Sequence, residues 1–251
     1  MSLRQDSFKK LRKDKNKWKI SSAEDFEAME QHFLEEKYKH EEPTVKGEIR
    51  ITAGKAKNVQ IEIPRGTRPV TERMKMRIFD VIREDIVNRR VLDLYAGSGS
   101  FGLEAISRGA ASAILVDASK HAQDTLHDNV RKTAFLTETE IIRSKVEDYL
   151  PLAITGDERF EIIFIDPPYK LYNKKDLTKM TSILQMAAQL LPGYHDWDTK
   201  LFKGIIVLKH PRRYPIGSLE IDKLTKYETF DFGANSLSVF IVKQDGDSKS
   251  N

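Results

Sequence analysis

Val91-Leu92-Asp93-Leu94-Tyr95-Ala96-Gly97-Ser98-Gly99-Ser100-Phe101-Gly102 opens with a short apolar run and closes on three glycines spaced G-x-G-x-x-G. The run Val91–Tyr95 predicts a buried strand, and the glycines predict a tight turn into a helix reaching about Arg108. Glycine at such a turn lets the backbone take conformations a side chain forbids and lets a ligand approach closely. The spacing alone is weak, because nicotinamide enzymes share it. Asp93 adds a discriminating feature. A carboxylate at the strand end can bind a cationic amino group, whereas a pyrophosphate would be repelled. Tyr95, Ala96, Gly97, Ser98 and Gly99 are therefore expected to line a cofactor site with Asp93.

Downstream, strands and helices alternate. Strand Ala113–Val116 ends at Asp117, 24 residues after Asp93, and Ala118 follows. A carboxylate placed there accepts both hydroxyls of a ribose, in nicotinamide and S-adenosylmethionine sites alike. A helix to about Lys132, a strand at Glu140–Arg143, and a strand at Glu161–Ile165 are predicted next. Helix Lys174–Leu191 and strand Ile205–Leu208 follow. This pattern predicts a mostly parallel sheet covered on both faces. Leu219–Phe230 and Ser236–Val242 have no helix between them and predict an antiparallel pair at the sheet edge.

Upstream, Glu48–Ala53 and Asn58–Ile63 alternate around Gly54-Lys55 and predict a hairpin. Thr71 to Val87 predicts a helix with Met74, Ile78, Phe79 and Ile82 facing inward. Residues 1–20 carry eight bases and two acids, and residues 21–42 carry eight acids and two bases. They read as a basic arm and an amphipathic helix over about 22–40. Four segments are expected: a charged extension (1–46), a hairpin and helix (47–88), the main sheet domain (89–243) and a short disordered tail (244–251).

Asp166-Pro167-Pro168-Tyr169 directly follows an apolar strand. Two prolines stiffen the turn and remove two donors. That leaves carbonyls and a carboxylate facing the crevice beyond the strand ends, where ligands of such sheets bind. An exocyclic base amine is a poor nucleophile until acceptors hold both of its hydrogens. Asp166 and the Pro167 carbonyl suit that task, and Tyr169 suits stacking on a base taken out of its helix. Asp166, Pro167, Pro168 and Tyr169 are the expected catalytic residues, with Asp166 also at the cofactor.

Composition excludes several alternatives. The chain has 251 residues and no cysteine, so disulfides, iron–sulfur clusters and thiolate zinc sites are ruled out. His121 and His127 share no helix face, no H-E-x-x-H exists, and no metal is expected. No apolar run approaches the length of a membrane helix, and no secretory signal is seen. A cytoplasmic monomer is expected. Net charge is +4, but Glu48–Arg90 holds 11 Lys/Arg against 6 Asp/Glu, and Lys209, Arg212 and Arg213 cluster late. Such local positive charge suits a polyanion.

These residues resemble the amino-methyltransferases with an (Asn/Asp)-Pro-Pro-(Tyr/Phe) motif, and more narrowly the RsmD-type 16S rRNA guanine-N2 methyltransferases. The resemblance spans about Glu48 to Lys243. It includes Arg50-Ile51-Thr52-Ala53-Gly54-Lys55, Arg68-Pro69-Val70-Thr71-Glu72-Arg73, the glycine loop through Gly102-Leu103-Glu104-Ala105-Ile106-Ser107-Arg108-Gly109, and the Asp-Pro-Pro-Tyr turn. It implies a class I, Rossmann-like S-adenosylmethionine-dependent fold and methyl transfer to guanine N2 in ribosomal RNA or a small-subunit assembly particle. It also implies that Arg68, Thr71 and Arg73 frame the pocket, with Arg50, Lys209 and Arg212 on the RNA. The sequence departs from the family pattern where an acid usually contacts adenine (Lys145, expected with Val146 at the cofactor) and where Glu usually ends the fifth strand (Lys209). Adenine-N6 or cytosine-N4 methylation and a catalytically silent RNA-binding role are the alternatives.

Overall fold

The computed structural model describes residues 47–64, 70–172, 177–192, 204–219 and 221–243. The expected helix at 22–40 and Arg68 lie outside them.

Strand β1 (Gly47–Arg50) pairs antiparallel with β2 (Gln60–Ile63), with Arg50 opposite Gln60. Helix α1 (Glu72–Ile82) starts at Thr71, whose Oγ1 accepts from the Met74 N–H at 3.3 Å, and runs into a 3-10 turn at Arg83–Ile86. An N-cap hydroxyl of this kind satisfies one of the orphan donors of the first turn. Then come β3 (Arg90–Leu94), α2 (Ser100–Ser107), β4 (Ser112–Asp117), α3 (Lys120–Thr133) and β5 (Thr139–Arg143). Next are α4 (Val146–Thr155), β6 (Ile162–Ile165), α5 (Thr178–Gln189) and β7 (Ile205–Pro211). Strands β8 (Leu224–Phe232) and β9 (Asn235–Val242) close the described fold.

The main sheet runs β5-β4-β3-β6-β7-β9-β8. Its first five strands are parallel, and β9 pairs antiparallel with both β7 and β8. Strand order reverses between β3 and β6, which opens a crevice beyond their C-terminal ends. Because side chains alternate along a strand, each central strand feeds two cores. Val91, Leu115, Phe164 and Val207 meet the hairpin, α1, α2 and α3 on one face. Leu92, Val116, Ile165 and Leu208 meet α4 and α5 on the other. Phe164 stacks on Phe101 with centroids 4.7 Å apart and lies 5.6 Å from Phe79, so β6, α2 and α1 share one aromatic contact. Burying a side chain of this size contributes about 1.5–3 kcal/mol.

Several boundaries differ from the sequence reading. Helix α4 is not anticipated by it, since Pro151 lies inside the helix, although Glu147 and Asp148 in the first turn favour a start there. Prediction of a helix through Val87 overruns α1, whose last turn tightens to 3-10. Strand β7 continues past Leu208 because β9 pairs with it as far as Pro211. Strand β8 begins at Leu224 rather than Leu219, a 3-10 turn at Ile216–Ser218 intervening before it.

Candidate active site

The crevice is built by three carboxylates from neighbouring strands and one lysine. Asp93 lies within β3, Asp117 ends β4, Asp166 follows β6 and Lys209 lies on β7.

Asp93 is 1% exposed. Its Oδ2 accepts the Gly102 N–H at 2.9 Å, which ties the first turn of α2 to the strand. Its Oδ1 is buried with no hydrogen-bond partner among the described residues. Burial raises this carboxyl well above the usual range, against the Gly102 N–H, and the nearby Asp166 and Asp117 add to the rise. One oxygen holds the loop, and only Oδ1 is left over.

The glycine loop is shaped by left-handed backbone. Tyr95, Gly97 and Gly99 have φ of 61°, 55° and 74°. A Cβ on Gly99 would sit 2.9 Å from Leu126, so that residue is packed against α3, whereas a Cβ on Gly97 would meet only the Tyr95 carbonyl at 3.9 Å. Gly97 therefore leaves open space where a ligand can approach. Its N–H donates to Asp117 Oδ2 at 2.9 Å, while Asp117 Oδ1 accepts the Ser119 N–H at 2.8 Å. Each oxygen retains a lone pair for a further donor. The Tyr95 hydroxyl is also buried without a partner among the described residues, and burial pushes it up from its ordinary value. Ala96 and Ser98 are buried and Ala118 is exposed. At the next strand end Lys145 is exposed ahead of buried Val146. Glu147 pairs with Lys179 at 3.0 Å. Burial opposes ionisation of Glu147, but backbone N–H, Lys179 and Lys145 together hold it below its ordinary value.

The Asp166 N–H donates to the Leu94 carbonyl at 3.3 Å, joining the turn to β3. Pro167 is buried, Pro168 exposed and Tyr169 half-buried. The Tyr169 hydroxyl donates to Asn235 Oδ1 at the start of β9. Lys209 Nζ lies 2.8 and 2.9 Å from the two carboxylate oxygens of Asp166. The expectation of Lys209 on RNA phosphate is corrected here, because its side chain is 7% exposed and its charge faces the turn. Tyr172 donates its hydroxyl to the Lys209 carbonyl.

The expected RNA residues are placed differently. Arg50 pairs with Glu72 at 2.8 Å, which brings it beside Thr71 and the exposed Arg73 at the start of α1. Arg212 is exposed and pairs with Asp231 at 3.0 Å. His210 follows Lys209 at the end of an apolar run and reads from sequence as a surface histidine, yet it is 2% exposed. Its Nε2 is 2.8 Å from Ser238 Oγ and its Nδ1 is 2.9 Å from the Pro211 carbonyl.

Sequence reasoning did not single out the braces behind the loop. Asn129 donates to the Glu62 and Ser98 carbonyls at 2.8 and 2.9 Å and accepts the Glu62 N–H at 2.7 Å, tying β2 to the glycine loop. Glu104, an acid within an otherwise apolar helix, carried a signal of its own. It is fully buried and accepts from Thr52, Ala53, Lys75 and Arg108. Among the described residues no group of His, Asp or Glu is arranged to hold a metal, and no helix is long and apolar enough to cross a membrane.

This strand order, with a glycine loop after the central strand and an acid–Pro–Pro–Tyr turn across the crevice, is the fold of class I S-adenosylmethionine-dependent methyltransferases. Residues 49–241 match the family described as conserved hypothetical protein 95, and the chain belongs to that family, the RsmD family. It is 31% identical over 181 residues to Bacillus subtilis "Putative rRNA methyltransferase YlbH", covering 70% of this chain and 98% of that one. It is 38% identical over 124 residues to the ribosomal RNA small subunit methyltransferase D of Buchnera aphidicola, covering 48% of this chain and 63% of that protein. Among solved structures, "Putative methyltransferase yhhF" of Escherichia coli aligns with a TM-score of 0.61 at 21% identity, over 78% of this chain and 99% of that one, a likeness of fold.

Proposed function

We propose that the chain transfers a methyl group from S-adenosylmethionine to the exocyclic N2 of a guanine in small-subunit ribosomal RNA. The observation that carries this reading is the Asp166–Tyr169 turn, hydrogen-bonded to β3 beside the glycine loop. The residues present suit the cofactor. Its ribose diol matches the spare lone pairs of Asp117, its ammonium matches buried Asp93 Oδ1, and the open side of Gly97 admits its backbone-hugging chain. A cationic ligand is also favoured by three clustered carboxylates. The names of the relatives support ribosomal RNA as the substrate class.

Held by Asp93, the Gly97 loop and Asp117, S-adenosylmethionine would supply an electrophilic methyl group with a thioether as the leaving group, and the methylated amine would lose a proton to water. The protein's part is positioning. Asp166 accepts one amine hydrogen and the Pro167 carbonyl the other, which turns the nitrogen lone pair towards the methyl. Tyr169, anchored through Asn235, stacks on the base. Ordered approach and fixed acceptors of this sort supply most of such a rate. The exposed Arg73 and the Arg50–Glu72 pair at the start of α1 form the RNA-facing edge.

Two measurements test the proposal. Calorimetric titration with S-adenosylhomocysteine should show micromolar binding, weakened in Asp117→Ala. Asp166→Ala should lose transfer at least about a hundredfold while keeping RNA affinity. Unchanged transfer in Asp166→Ala would refute the mechanism.

A further inference from the structure

Lys209 has a place in the site that its position in the sequence does not disclose. Strand β7 pairs in parallel with β6 in a register that sets Leu208 beside Ile165. One residue further on, the same register sets Lys209 beside Asp166, and both side chains leave the same face of the sheet. The ammonium meets both carboxylate oxygens, at 2.8 and 2.9 Å. The lysine side chain is 7% exposed and the aspartate 19%, so solvent screens this pair far less than a surface one. The strand end is held from behind by the Tyr172 hydroxyl on the Lys209 carbonyl.

We propose that Lys209 is a positioning residue for the transfer: it clamps the Asp166 carboxylate from one side, keeping it ionised and presenting its remaining lone pairs to the amine. This inference rests on the function proposed above. A carboxylate chelated by one ammonium loses its freedom to rotate, yet keeps one outward lone pair on each oxygen. Only an ionised carboxylate is purely an acceptor. A protonated one would turn a donor towards the amine.

The groups around Asp166 make such a clamp necessary. Asp93 on β3 and Tyr172 beyond the turn interact with Asp166, while Asp117 faces Asp93, and Tyr95 and Tyr169 face Tyr172. Of these and Lys209, the lysine alone is cationic. Burial raises the Asp166 carboxyl, and Lys209 opposes the rise through its charge and its hydrogen bonds. Removing the lysine therefore moves protonation of Asp166 to higher pH.

The experiment compares wild type, Lys209→Met and Lys209→Arg in single-turnover methyl transfer to a small-subunit rRNA transcript across pH, with S-adenosylhomocysteine affinity and thermal unfolding measured alongside. In Lys209→Met the acid limb of the rate profile should move up by about one pH unit or more, a loss of about tenfold on that limb. Cofactor affinity should stay within about twofold of wild type, and Lys209→Arg should recover most of the shift. An unmoved acid limb in Lys209→Met, whether the rate is unchanged or falls equally at every pH, overturns the clamp. A second readout needs no RNA. Carbon-13 NMR titration of the Asp166 carboxyl should give a higher pKa in Lys209→Met than in wild type, and equal values overturn the inference. Should wild type transfer no methyl to guanine while the NMR shift is present, the proposed function fails and the clamp stands.

Discussion

At the scale of single residues, the account turns on positions where geometry leaves no choice. Gly54 has φ of +82°, and a Cβ there would lie 1.7 Å from the Ser107 carbonyl oxygen. The neighbouring Lys55 N–H donates to that same carbonyl at 2.8 Å, so the hairpin loop lies directly on the end of α2. Gly54→Ala must pay for both the strained backbone and the displaced contact. It is expected to destabilise the fold by about 2 kcal/mol or more, lowering Tm by roughly 4–8 °C. A calorimetric scan that found Tm unchanged would show that the loop does not pack as described. The residues most legible in the sequence were those whose backbone role has a local signature: the glycines, the paired prolines and the acids at strand ends. Lys209 and His210 were misplaced for a common reason. Both lie at the end of an apolar run and look like the first exposed residues after a strand. Pairing with β9 extends β7 beyond them, and only the register between strands reveals what each side chain meets.

At the scale of elements, the buried Glu104–Lys75 pair ties the hairpin, α1 and α2 together. Lys75 Nζ donates to Glu104 at 3.1 Å and to the Arg50 carbonyl at 2.7 Å. Thr52 and Ala53 donate to Glu104 from the hairpin loop, and Arg108 from its own helix. Burial works against the Lys75 ammonium and lowers its pKa, with Glu104 opposing. For Glu104 burial alone would raise the carboxyl, but Lys75, Thr52 and Arg108 bring it below its ordinary value. Breaking one side of such a pair strands the other charge in the core, so Lys75→Met is expected to cost about 3–5 kcal/mol in urea unfolding. A cost under about 1 kcal/mol would mean that the network contributes little. The network was hidden in the sequence because its members lie in three separate segments. Glu104 stands out as an acid in an apolar helix, but its partners look like ordinary polar residues on a helix or loop. Helix α4 was hidden differently: an internal proline interrupts the pattern by which a helix is recognised. The parallel strands, by contrast, were visible as continuous apolar runs, because helices cover both faces of each.

At the scale of the whole molecule, the sheet order gathers Asp93, Asp117, Asp166 and Lys209 from four neighbouring strands. The pH dependence of stability follows from the buried groups. His210 lies under β9, its ring satisfied by Ser238 and the Pro211 carbonyl, and burial lowers its pKa from the ordinary 6.5. The unfolded chain therefore binds a proton that the folded chain refuses, and stability falls as pH drops below about 6.5. His210→Gln is expected to flatten that fall below about pH 6.5, even if it lowers stability overall. An identical slope in wild type and variant would place the acid sensitivity elsewhere. Affinity for RNA is expected to fall with rising salt, as counterions are released from phosphate, and charge reversal at Arg73 should reduce that slope.

The most direct test of the central claim is to incubate the protein with S-adenosylmethionine carrying a labelled methyl group and small-subunit ribosomal RNA, both naked and in assembled particles. The RNA is then digested and its nucleosides identified by mass spectrometry. The account predicts labelled N2-methylguanosine, absent with Asp166→Ala. Label in N6-methyladenosine or N4-methylcytidine would contradict the assignment of guanine, and no labelled nucleoside from either form of the RNA would contradict the assignment of a methyltransferase acting on it.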